Sequence, residues 1–459
     1  MLKKFRRAAA AAAVCLAVMC AGGCSLSALT AENVMEPPQA FGDGAELQAA
    51  MEEVLGPQIT LRYPRSGEHR SAVVRADVDG DDHEEAIVFY RPATESAGAR
   101  MVLLDTDEDG EWKLMSEFSD AEGEIDRVIF GDINGDGCQD IITGWTAYSD
   151  YGTIFVHSCV QGVLMEQIIR TDDTGARAMS SYTELAVGDF DDDGTDELLT
   201  VSMAAGENAG EARLLEWQRS GLQSTVGLIL LKGQLTLSPG AADYTASAAG
   251  KMCWNLYGIA VDSRRTEGGY ASEMVYWDSE SGKLVSPCNE EGDTLFARTL
   301  NTESADIDGD GYIEIPCDSL LPGHTASSGE VYLTDWYCYN SKSYVEDFSA
   351  IMRPDSGYYM IIPGRWQGQI TAEPDAESHS LRFYLTDAEG AFGDEIMSIR
   401  VFTQDEWEEE SSTGWNEEPT AYVELCTTDY YVYAVQIADA GSELDMEYES
   451  ILRCFTLME

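Results

Sequence analysis

Four times along the chain a hydrophobic run breaks into a knot of acids and glycines and then resumes. The segments are RADVDGDDHEEAIVFY from Arg75, FGDINGDGCQDIITGW from Phe130, VGDFDDDGTDELLTVS from Val187 and SADIDGDGYIEIPCDS from Ser304. Numbered from the first aspartate of each, side-chain oxygens recur at positions 1, 3, 5 and 9. They belong to Asp77, Asp79, Asp81 and Glu85; to Asp132, Asn134, Asp136 and Asp140; to Asp189, Asp191, Asp193 and Glu197; and to Asp306, Asp308, Asp310 and Glu314. Like charges this close repel, so such a loop is either splayed in water or drawn together by a cation. Alternate side chains converge only where the backbone curls tightly, and glycine at position 4 or 6 supplies that freedom. The first loop departs at position 6, where Asp82 replaces glycine. A backbone carbonyl at position 7, from His83, Cys138, Thr195 or Tyr312, would add a further oxygen. Hard oxygens with no His or Cys side chain among them suit calcium, at about four sites.

The spacing excludes an EF-hand, which needs an acid at position 12 and flanking helices. Position 12 here is Val88, Thr143, Thr200 and Cys317. The last acid instead leads into EAIVFY, DIITGW, ELLTVS and EIPCDS, short and mostly β-prone runs, so each loop is expected to join two strands. A solvated, metal-free Asp-Gly hairpin would explain one such loop, not four with the same ligand spacing. First aspartates lie 55, 57 and 117 residues apart, the last interval being about two periods. The missing repeat is expected around Asp262, in a loop lacking the other acids. Hairpin signals follow most loops, in MVLLDTDEDGEWKLMSEF, LLEWQRSGLQST and MVYWDSESGKLV. Four strands per period of this length predict a β-propeller blade.

The loops resemble the FG-GAP/VCBS repeats of integrin-type β-propellers, in which calcium sits in a loop between strands of each blade. Phe130-Gly131 keeps that family's Phe-Gly pair, and the match covers roughly residues 58 to 345. The fold implied is all-β, a calcium-binding propeller of about 5–7 blades over residues 45–348. Past it, runs such as SLRFYLTD, MSIRVFT and YYVYAVQIA alternate like antiparallel strands. SELDMEYESILRCF reads as a closing helix capped at Ser442. A small α+β domain is therefore expected over residues 349–459.

The N-terminus reads as an export signal. MLKKFRR is basic, Ala8 to Ala21 is apolar but short for a bilayer span, and small residues follow. Ala21-Gly22-Gly23-Cys24 resembles the lipobox of bacterial lipoproteins. That implies a signal peptide over 1–23, lipidation of Cys24, a flexible tether over 24–44, and anchoring to the outer face of the cell membrane through the lipid alone. The helix AELQAAMEEVLG and the lead-in ITLRYPRSGEHRSAVV also resemble bacterial lipoproteins carrying such repeats. A formal net charge of −55 repels phosphate backbones and excludes nucleic acid as a partner. With 44% hydrophobic residues the chain is nonetheless a folding one. Eight cysteines beyond Cys24 are scattered singly, without a CxxC pair, and no connectivity can be read from them.

Catalytic motifs do not emerge. The five histidines, His69, His83, His157, His324 and His379, lack metal-ligand neighbours at helical spacing, and neither GxSxG nor HExxH occurs. Trp145, Trp277 and Trp336 read as blade packing before sugar stacking. DTDEDGEW has Lys113 where a ninth-position acid would stand, and reads as a hairpin tip. The expected function is a surface-tethered binding or scaffold module for a cell-surface protein or carbohydrate, not an enzyme. The alternatives are a polysaccharide lyase or hydrolase on a calcium propeller, and an envelope-assembly component without a soluble ligand.

Overall fold

The computed structural model describes residues 43–458, except 57, 94–97, 108, 120–122, 147–151, 171–181, 203–209, 222–224, 238–240, 254–255, 266–267, 288–295, 326–330, 341, 388, 413–421 and 439–440. The expected signal segment, Cys24 and Cys288 lie outside the described residues. Helix α1 (Asp43–Leu55) leads into an all-β body. In the first meander β1 (Ile59–Leu61) and β2 (Val73–Ala76) both pair with β3 (Glu85–Pro92), followed by β4 (Arg100–Thr106) and β5 (Trp112–Ser119). The second holds β6 (Glu124–Gly131), β7 (Asp140–Thr146), β8 (Gly152–Val160) and β9 (Val163–Arg170). The third holds β10 (Glu184–Gly188), β11 (Glu197–Ser202), β12 (Glu211–Arg219) and β13 (Gly227–Thr236), and β13 joins β9 by a short parallel pairing.

The fourth meander runs β14 (Ala241–Cys253), β15 (Leu256–Arg265), β16 (Tyr270–Asp278) and β17 (Lys283–Val285), with β18 (Ala297–Arg298) also on β16. The fifth runs β19 (Ile315–Leu320), β20 (Tyr332–Tyr339), β21 (Tyr344–Arg353) and β22 (Tyr358–Ile361). Next come β23 (Ile370–Asp375), β24 (Ser380–Thr386) and β25 (Phe392–Thr403), then α2 (Gln404–Ser412), β26 (Val423–Thr427) and β27 (Tyr431–Ile437). Those five strands make a sixth sheet, ordered β23-β24-β25-β27-β26. Helix α3 (Tyr448–Cys454) and β28 (Phe455–Leu457) close the described chain, and β28 returns to pair with β22.

The apolar runs after each loop become strands because both their faces are covered. In a strand successive side chains point to opposite faces, and here each face meets a different neighbour. Ile141 packs with Ile87 and Phe89 of the first meander, while the next residue, Ile142, packs with Leu185 and Leu198 of the third. Leu199 and Val201 of β11 likewise meet Ile259 and Val261 of β15. Ala260, between those two, faces Ile315 and Tyr339 of the fifth meander. The meanders are thus stacked face to face in series. The outer face of the first is covered by α1, whose Leu47 and Met51 sit on Ala86, Val88 and Tyr90.

The series continues into the C-terminal region. Residue 349, where a separate domain was expected to begin, falls inside β21. One core joins Ile351, Tyr358 and Met360 of the fifth meander to Ile370, Phe383 and Ile399 of the sixth sheet. Two details differ from expectation. Helix α3 starts at Tyr448 with Glu447 at its cap position, while Ser442 and Asp445 bind one another upstream, where the Asp445 carboxylate accepts from the Ser442 N–H. Asp262 lies in β15, paired with Ala246 and Ser272, not in a loop.

Candidate metal centres

The four acidic loops share one hydrogen-bond circuit. The first aspartate takes a backbone N–H on each oxygen: Gly80 and Asp82 to Asp77, Asp136 and Gly137 to Asp132, Asp193 and Gly194 to Asp189, Gly309 and Gly311 to Asp306. The N–H of position 7 donates to the aspartate at 5, as from His83 to Asp81 at 2.8 Å and from Tyr312 to Asp310 at 2.9 Å. Closing this circuit needs a left-handed backbone at positions 4 and 6. Glycine supplies it in most loops, but Asp82 takes φ 69° at position 6 of the first and Asp192 φ 60° at position 4 of the third. Aspartate is among the few side chains that tolerate this region. The departure at Asp82 therefore leaves the loop geometry intact.

Position 2 is apolar and anchors the loop: Val78, Ile133 and Phe190 are buried, and Ile307 is half-buried. Its N–H donates to the position-9 acid, from Val78 to Glu85 at 2.7 Å, Ile133 to Asp140 at 3.0 Å, Phe190 to Glu197 at 3.0 Å and Ile307 to Glu314 at 3.0 Å. These four acids are fully buried, none more than 2% exposed. Burial pushes Glu85, Asp140 and Glu314 up to about 7 and Glu197 up to about 8, against the N–H bonds that favour the charged form.

What distinguishes the loops is the other oxygen of that buried acid. In the first loop Glu85 Oε1 has no partner, and neither has buried Asp79 Oδ1. In the second, Asn134 Nδ2 donates to Asp140 Oδ1 at 3.1 Å and to Ser158 Oγ at 2.9 Å. In the third, Lys232 Nζ stands 4.0 Å from Glu197 Oε1 and pairs with Asp191. In the fourth, the Cys338 thiol donates to Glu314 Oε1 at 3.2 Å.

Convergence follows the same division. Oxygens of Asp77, Asp79, Asp81 and Glu85 all lie within 4.8 Å of one another. Asp189, Asp191 and Glu197 converge likewise without Asp193, and Asp306, Asp308 and Glu314 without Asp310. Among the described residues Asp132, Asp136 and Asp140 do not form such a group. The first loop, with four oxygens gathered and two buried ones unpartnered, fits a hard divalent cation best. Three features lay beyond sequence reasoning. One is Lys232, a lone lysine in the apolar strand GLILLKGQLT, which was its only signal. Another is Asp196, whose carboxylate accepts the Asp132 N–H at 2.8 Å and clamps the second loop to the third. The last is a further group beside the fourth loop, where Asp347 joins Glu314 and Cys338.

Five of the residues weighed for chemistry take structural places. Trp145 and Trp336 are 1% exposed and Trp277 8%, so all three are packing residues. His157 is buried against the Phe118 ring at 4.4 Å, and His324 Nε2 contacts the Ala372 carbonyl at 2.8 Å. DTDEDGEW is the tip between β4 and β5, where Asp107 accepts from the N–H groups of Asp109 and Glu111. Asp262 forms a buried ion pair with Arg298 at 2.9 Å, steadied by Ser272 and by Ser304, whose N–H donates to it at 2.7 Å.

Strands β2, β6, β10 and β14, one from each of the first four meanders, face one cavity of about 1100 Å³. Its wall includes Asp77 and Gly80 of the first loop and Gly137 and Cys138 of the second. Arg70, Arg75 and Arg127 line it together with Glu68, Glu84 and Glu184, beside Tyr244 and Tyr257. Arg127 is held by Glu184 and Asp126, and the Tyr244 hydroxyl donates to Glu184 at 2.7 Å.

Among the described residues no helix is long and apolar enough to cross a membrane. No protein-family model matches the chain, and no curated protein matches it. Among solved structures it is similar to the periplasmic gluconolactonase PpgL of Pseudomonas aeruginosa, at 11% identity and a TM-score of 0.27, over 73% of this chain and 86% of that one.

Proposed function

We propose that the protein is an exported, lipid-anchored calcium propeller that binds a cell-surface carbohydrate in the cavity that β2, β6, β10 and β14 line, without catalysing a reaction on it. One observation carries this reading: residues of the first two acidic loops form part of the cavity wall. An ion that draws those loops together would set the shape of the wall, so ligand binding would depend on calcium. Opposite charges in near balance around the cavity favour a neutral polar ligand over a net ion, and tyrosine edges with planar polar groups suit a sugar's mixed surface. A binding role is supported by the commitment of Arg127, Glu184 and Tyr244 to one another, which fixes them as a rigid polar wall.

The test is calorimetric titration of the full chain with neutral and acidic oligosaccharides, in calcium and in chelator. A neutral oligosaccharide is expected to bind, at least tenfold more weakly in chelator and in the Arg75→Ala variant. Binding that ignores both treatments, or turnover of the sugar, would sink the proposal.

A further inference from the structure

We infer that Lys232 closes the third loop in place of a metal ion, so that four loops of one sequence pattern do not hold four ions. This rests on the reading that loops of this pattern bind divalent cations. Lys232 projects from β13, the last strand of the third meander, back onto the loop between the first two. Its ammonium pairs with Asp191 Oδ2, stands 4.0 Å from Glu197 Oε1 and 3.6 Å from Glu216 Oε2, and lies 5.4 Å from the centre of the Trp277 ring. Asp191 and Glu197 are two of the three carboxylates that converge in this loop. The lysine side chain is 13% exposed and that of Asp191 12%, so water screens the arrangement little.

A cation already sits within ion-pair distance of two would-be ligands. A dication placed among them would meet a positive charge at close range in a poorly screened site, while its carboxylates are already partly neutralised. Asp191 Oδ1 stays buried without a partner, so the lysine satisfies the loop less fully than an ion with several free coordination positions. Removing the ammonium should therefore open a working site. The first loop is the contrast. Among the described residues its ion-pair partner is His83, which is exposed and reaches Asp81 alone. Its buried Glu85 Oε1 and Asp79 Oδ1 are left for an ion.

The test is calcium stoichiometry of the full chain, by equilibrium dialysis with elemental analysis, for wild type, Lys232→Met, Asp191→Asn and Asp79→Asn. Lys232→Met is expected to bind one ion more than wild type, Asp191→Asn the same number, and Asp79→Asn one fewer. Equal counts for wild type and a folded Lys232→Met overturn the inference. Loss of an ion in Asp191→Asn overturns it as well, even where Lys232→Met does not fold. A wild type that binds no calcium, beside a Lys232→Met that binds one ion, removes the metal reading of the first loop and supports the lysine; no ion in either removes both.

Discussion

The acid at position 9 decides how each loop behaves, and its burial is what the sequence could not show. Spacing reveals that Glu85, Asp140, Glu197 and Glu314 recur, but not that each is fully buried. That burial gives a sign to the pH dependence. The folded-state values, about 7 for three of them and about 8 for Glu197, lie above the ~4.3 of an unfolded glutamate or ~3.9 of an aspartate. Between those values the ion-free folded chain holds more protons than the unfolded one, so its stability rises as pH falls through that window. In a loop that holds calcium, protons compete with the ion for the same oxygens, and the slope there reverses. Melting temperature in chelator should therefore increase from pH 8 to pH 5.5, while in excess calcium it should not. Parallel slopes in the two conditions would contradict the assignment of these acids to ion-responsive loops. Each occupied loop should add about 1.4 kcal/mol when free calcium is tenfold above its dissociation constant.

At the scale of elements, the strands after the acidic loops were legible as continuous apolar runs, because a strand covered on both faces must be apolar throughout. Ile141 and Ile142 illustrate this, one for each neighbouring sheet. The Phe130-Gly131 pair has a reason that only neighbouring elements supply. A Cβ on Gly131 would lie 2.3 Å from Val187 Cγ1 on β10 and 2.8 Å from Asp196 Oδ2. The first strands of adjacent meanders approach too closely there for any side chain. Gly131→Ala should destabilise the protein by about 1–3 kcal/mol, read as a lower denaturation midpoint with unchanged slope. An unaltered midpoint would show that β6 and β10 do not pack as described. Sequence reasoning failed where an element broke its own period. In the fourth meander Asp262 lies within β15, paired with Ala246 and Ser272, and meets Arg298 rather than a loop of acids.

For the whole molecule, the stack of sheets runs past the point where the acidic repeat stops, because shared apolar area and not the loop motif holds neighbours together. Tyr358 and Phe383 belong to one core although one lies in the fifth meander and the other in the sixth sheet. The proposed anchor belongs to this scale too. Cys24→Ser should move the protein from the membrane to the soluble fraction while leaving its melting temperature unchanged, and membrane retention of that variant would refute lipid anchoring. By itself the sequence determined whatever closes within a few residues: the left-handed turns, the N–H bonds to Asp77, Asp132, Asp189 and Asp306, and the apolar strands that follow. Those features depend on local backbone freedom and on period-two burial, both written along the chain. Tertiary structure alone decided which partner each buried acid meets and what cavity β2, β6, β10 and β14 line. Lys232 and Asp191, or Asp196 and Asp132, are neighbours only because meanders fold back and stack. The pairing of charges across such distances carries no local signature, since nothing near either residue says which distant partner the stacked meanders will bring to it.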